Sequence, residues 1–141
     1  MVTPINLPYT YDALEPFYDA ETLKIHYDIL YKGYVNNLNK TEEELAKARQ
    51  SRDYSNIKCL EKNLSYNGSG VVLHELFFTN MIAPGKGGEI SQEVFTQIMN
   101  DFGNFNSFKE QFTAASTNIE GSRLGITCMG TKVFWPENFA M

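Results

Sequence analysis

The chain has 141 residues, enough for about one domain, and 43% of them are hydrophobic and 13% aromatic, the composition of a globular protein with a sizeable core. Against 12 basic residues stand 17 acidic ones, and the formal charge of −5 excludes the phosphate-driven electrostatics of a nucleic-acid binder, so no nucleic acid partner is expected. No segment reaches the ~18 consecutive apolar residues of a membrane span, and the N-terminus lacks the basic start and apolar run of a secretory signal. No membrane association and a cytoplasmic location are therefore expected.

In chain order, residues 1–19 carry Pro4, Pro8 and Pro16, which rule out a continuous helix and predict an extended arm laid over the core. Asp19, followed by Glu21 and Thr22, has the composition of a helix N-cap. From Glu21 to Asn39 apolar and aromatic residues recur at Leu23, Ile25, Tyr27, Leu30, Tyr31, Tyr34, Val35 and Leu38, close to the 3.6-residue period of an amphipathic helix. His26 is placed on its inward face, with Leu30 and Tyr34 one and two turns further on. The polar run from Lys40 to Ser55 extends this helix or turns it. Ile57, Leu60 and Leu64 mark a short helix, SYNGSG reads as a hinge, and VVLHELFFTNMI as a buried helix carrying His74.

His26 and His74 are the only two histidines, and an antiparallel hairpin would let them face each other, the one metal-like arrangement the residues offer. Their plainer reading is a pair of buried histidines satisfied by backbone carbonyls or tyrosine hydroxyls. Asp28 and Glu75 are oxygen donors nearby in sequence, but both fall off the expected inner face.

The APGKGG stretch, residues 83–88, reads as a linker between an arm-plus-hairpin domain, 1–84, and a second domain, 89–141. Two helices are predicted after it, one capped by a serine and closed at Gly103, the other capped by Asn106 or Ser107 and stopped at Gly121. RLGITCMG and TKVFWPE then read as two short antiparallel strands. The fold class expected is α+β: a long antiparallel helical hairpin followed by a truncated α/β domain with two helices and two strands. Cys59 and Cys128 have no CxxC spacing and are expected to be reduced and buried.

Five stretches in register, LPYTYDALEP, ETLKIHYDILYKGYVNNLNK, NGSGVVLHELFFTNM, DFGNFNSFKEQF and GSRLGI, resemble the iron/manganese superoxide dismutases over nearly the whole sequence. The resemblance implies a mononuclear iron or manganese ion as cofactor, with His26 and His74 as two of its ligands, Tyr34 as the gateway tyrosine of the substrate channel, and superoxide as substrate. Leu30, Val71 and the sequence Gly121-Ser122-Arg123-Leu124 depart from the family, as does Gly70 where iron-type members carry a glutamine. Phe139 falls where manganese-type members place theirs.

The family's Asp-x-Trp-Glu-His-Ala-Tyr segment, which supplies the other two protein ligands, has no counterpart in these residues. The expectation is a half-site completed by another chain, in a homo-oligomer or with a partner. The alternative is a non-catalytic scaffold or protein-interaction module built on the same hairpin.

Overall fold

The computed structural model describes residues 1–120, and contacts group the chain into two units, Met1–Gly87 and Gly88–Met141. In the first unit, α1 (Ala20–Ile25) runs through a π-helical turn (His26–Tyr31) into α2 (Lys32–Ser51), and α3 (Ile57–Thr79) packs against α2. Asp19 caps α1 as expected, its carboxylate accepting the Thr22 N–H at 2.8 Å. The run after Asn39 is helix as far as Ser51, where Arg52 ends it in the left-handed region at φ 55°. Asp53 then accepts the Ser55 N–H at 3.0 Å, a local turn that reverses the chain into α3.

The second unit has α4 (Gln92–Phe102) and α5 (Phe105–Thr117) among its described residues. Ser91 caps α4 and Gly103, at φ 78°, ends it. The cap of α5 is Asn104, which accepts the Ser107 N–H at 2.9 Å, in place of the expected Asn106 or Ser107. Across the α4–α5 turn, Phe102 meets Phe108 edge-on at 5.2 Å between ring centroids.

The α+β class is corrected by these elements: the described residues are helical wherever they are regular, and no strand occurs among them. Polar segments of the chain between helices are consumed by caps and turns rather than by extended pairing. The two expected strands, 123–130 and 131–137, lie outside the described residues.

Three further expectations are changed inside the hairpin. SYNGSG is not a hinge but the middle of α3, and its glycines serve close packing. Gly68 lies against the Leu38 side chain, and an added Cβ at Gly70 would come within 2.4 Å of the Tyr34 ring. Leu30 is exposed, not turned into the core as expected. The buried stripe runs through Leu23, Tyr27, Tyr31, Val35 and Leu38, keeping a four-residue spacing across the wider π turn, one position on from His26, Leu30 and Tyr34. Cys59 is exposed, because the buried stripe of α3 runs through Leu60, Asn67, Val71 and Phe78.

The arm, 1–18, is stitched to the hairpin by side chains that reach its backbone. Asn39 both accepts the Val2 N–H at 2.7 Å and donates to the Val2 carbonyl at 2.8 Å. The Tyr31 hydroxyl accepts the Ile5 N–H at 2.9 Å, and the Tyr27 hydroxyl donates to the Ile5 carbonyl. From the arm, Tyr9 donates to the Phe78 carbonyl at 2.8 Å. Within the arm, only residues 1–7 lack backbone bonds of their own, so these side-chain bonds fix their path. Residues 10–18 are not extended but turn on local bonds, such as the Ala13 N–H to the Thr10 carbonyl and the Tyr18 N–H to the Leu14 carbonyl, both at 3.1 Å.

Candidate metal centre

The hairpin brings His26 and His74 together with ring centroids 4.9 Å apart and planes at 80°. Aromatic rings surround the pair: Phe77 and Phe78 lie 5.1 and 5.2 Å from His26, while Tyr34 lies 5.0 Å from His74 and Tyr31 stacks on it at 6.2 Å. Phe78 is fully buried and Tyr31 likewise, so the two imidazoles rest on a floor without water.

One nitrogen of each ring is already engaged. His74 Nδ1 lies 2.6 Å from the Gly70 carbonyl, which can only accept, so Nδ1 carries a proton and Nε2 is the nitrogen that could face an ion. His26 Nδ1 lies 2.8 Å from the Tyr18 hydroxyl. Burial, and then the neighbouring His74, push the His26 pKa below its ordinary value, which favours the neutral imidazole that a metal requires. These bonds to a carbonyl and a tyrosine are those of two satisfied core histidines, but they use one nitrogen per ring and leave the other.

The nearby carboxylates are committed elsewhere. Asp28 accepts from Lys32 at 2.7 Å and from Tyr11 at 2.9 Å, and the Lys32 contact holds its pKa low. Glu75 accepts the Tyr31 hydroxyl at 2.9 Å. No cluster of three or more histidine, cysteine, aspartate or glutamate side chains able to hold a metal occurs among the described residues. The donor set thus fits two positions of an iron or manganese ion: two imidazoles, each held by a hydrogen bond through one nitrogen.

Tyr34 packs its ring against Gly70 and His74, and its hydroxyl lies 3.2 Å from that of Tyr66. That hydrogen bond, followed by burial, raises the Tyr34 pKa. Sequence reasoning singled out His26, His74 and Tyr34 and missed Tyr18, the Gly70 carbonyl that accepts from His74, and Tyr66. The last two were visible in principle: Tyr66, Gly70 and His74 stand four apart, which is one face of a helix once the hinge is discarded. Tyr18 carried no such signal, since its bond to His26 spans the irregular junction between arm and helix.

The sequence pattern of the iron/manganese superoxide dismutase alpha-hairpin domain matches residues 3–82. A superoxide dismutase [Fe] from Pyrobaculum aerophilum is 40% identical over 116 residues, covering 82% of this chain and 55% of the relative. The chain therefore spans about half the length of the curated relative it matches. With its hairpin matched end to end and its two histidines converging between α1 and α3, the chain belongs to the iron/manganese superoxide dismutase family.

Proposed function

We propose that this chain contributes His26 and His74 to a mononuclear iron or manganese centre that converts superoxide to oxygen and hydrogen peroxide. The observation that carries the reading is the histidine pair itself, 4.9 Å apart between ring centroids, with each Nδ1 engaged by a neighbouring oxygen. When bound, the metal supplies a centre that cycles between two oxidation states. The chain's own residues do the rest of what is proposed here. Gly70 and Tyr18 hold the two imidazoles in orientation, and with Nε2 turned to the ion His26 donates through Nδ1 to the Tyr18 oxygen. The buried rings of Tyr31 and Phe78 exclude water from beneath the pair. Tyr34, beside His74, serves as the gateway residue that superoxide passes.

Two imidazoles do not close a selective site, so the reading includes further ligands from another chain, within a homo-oligomer or a partner bearing the family's Asp-x-Trp-Glu-His segment. No helix among the described residues is long and apolar enough to cross a membrane, which fits the cytoplasmic setting proposed for it. The test is a xanthine oxidase–cytochrome c assay on the iron- or manganese-reconstituted chain, with and without a protein carrying that segment. Little turnover by the chain alone, a clear gain on adding the partner, and loss of the gain in His74→Ala are expected. Turnover indifferent to His26→Ala and His74→Ala would contradict the reading. A stable complex without turnover would support the scaffold instead.

A further inference from the structure

Among the described residues the Tyr34 hydroxyl has one partner, Tyr66, at 3.2 Å, with the two rings 5.6 Å apart and tilted by 54°. Tyr66 stands on α3 one turn before Gly70 and two before His74, so three consecutive turns of one helix face meet a single side chain of α2. Each turn does something different to Tyr34. His74 presents its ring at 5.0 Å, and Gly70 offers a surface without a Cβ, into which the Tyr34 ring sinks until an added methyl would clash at 2.4 Å. Tyr66 takes the hydroxyl. Being 64% exposed, Tyr66 also brings water within one hydrogen bond of Tyr34.

Gly70 and the His74 imidazole meet the Tyr34 ring through its faces and carbon atoms, contacts that set distance rather than direction. The only directional restraint on it among these contacts is the hydroxyl–hydroxyl bond. We infer that Tyr66 is the positioning residue of Tyr34: it fixes the Tyr34 ring against Gly70 and His74 and links its hydroxyl to solvent. The use of this arrangement in turnover rests on the reading of Tyr34 as gateway, but the arrangement itself is testable apart from it.

The experiment is NMR of the full chain labelled with [13Cζ]tyrosine and [13Cε1]histidine, comparing wild type, Tyr66→Phe and, as a control at the hairpin turn, Tyr54→Phe. The chain has two histidines and eight tyrosines, and the Tyr34 Cζ signal is assigned by its loss in Tyr34→Phe. Tyr66→Phe is expected to move the Tyr34 Cζ resonance, because its hydroxyl loses its partner, and to move the His74 signal through the changed ring current, while the His26 signal stays. Tyr54→Phe should move none of them. Unmoved Tyr34 and His74 signals in Tyr66→Phe would overturn the inference.

In metal-loaded, partner-completed protein, Tyr66→Phe should lower kcat about fivefold at unchanged KM, the worth of one hydrogen bond. Full turnover in Tyr66→Phe beside a loss in Tyr34→Phe would also overturn it. Full turnover in both would remove Tyr34 from the gateway and leave the positioning to be decided by the resonances.

Discussion

The two ends of the hairpin are built on different principles. Near the turn, α2 and α3 meet through Leu45, Ala48 and Leu60, with Ile57 and Leu64 packed around them. These five side chains are apolar, and their contact stabilises the seam by burial of apolar area. At the other end the contacts are made by Tyr27, Tyr31, Phe78, His26 and His74, and nearly every ring that carries a polar atom spends it on a named partner. Tyr31 alone accepts from Ile5 and donates to Glu75, tying the arm, the π turn and α3 together through one hydroxyl. An aliphatic seam tolerates any side chains of the right volume, whereas a seam of hydrogen-bonded rings fixes orientation as well as distance. Orientation is what two metal ligands need.

The ring-lined end depends most heavily on Phe78. Its ring is fully buried and touches both histidines, so Phe78→Ala should cost about 4 kcal/mol in chemical denaturation and displace both histidine NMR signals. Leu60→Ala, at the other end, should cost about 3 kcal/mol and leave those signals in place. Coupled losses from Leu60→Ala would mean that the two ends are not independent.

Tyr31→Phe sharpens the contrast, since it keeps the ring and removes only the hydroxyl. Stranding the Ile5 N–H and Glu75 should cost about 2 kcal/mol, with increased proteolysis of the arm as the second readout.

The smallest effect lies at the start of α1. The Thr22 N–H holds the Asp19 carboxyl below its ordinary pKa, so the folded state binds its proton less readily than the unfolded one does. The stabilisation is present above the unfolded aspartate value, about 3.9, and is lost as the pH falls through the folded value. The Tm gap between wild type and Asp19→Ala should therefore be open at pH 7 and close as the pH drops below about 4.

The aliphatic end was the more legible in sequence, because leucines at helical spacing need no information beyond the period. Both histidines and Tyr34 were legible too, through their place in a resemblance and in two apolar stretches. What escaped depended on local backbone geometry. No periodicity announces the π turn between His26 and Tyr31; a 3.6-residue period counted from Leu23 puts Leu30 inward, whereas the wider turn buries Tyr27 and Tyr31 and leaves Leu30 exposed. Gly68 and Gly70 carry the same composition in a hinge and in a helix packed tightly on its neighbour, and only the partner side chains, Leu38 and Tyr34, distinguish the two. Tyr18 and the arm's hydrogen bonds join residues with no periodic relation to one another.

The central claim is that His26 and His74 are ligands rather than two satisfied core histidines. Elemental analysis of the protein purified without metal supplementation tests it most directly, as iron, manganese and zinc per chain. Iron or manganese near one per completed site, lost in both His26→Ala and His74→Ala with the helical content unchanged, is the predicted result. No bound iron or manganese in the completed assembly, or metal retained in both variants, would contradict it.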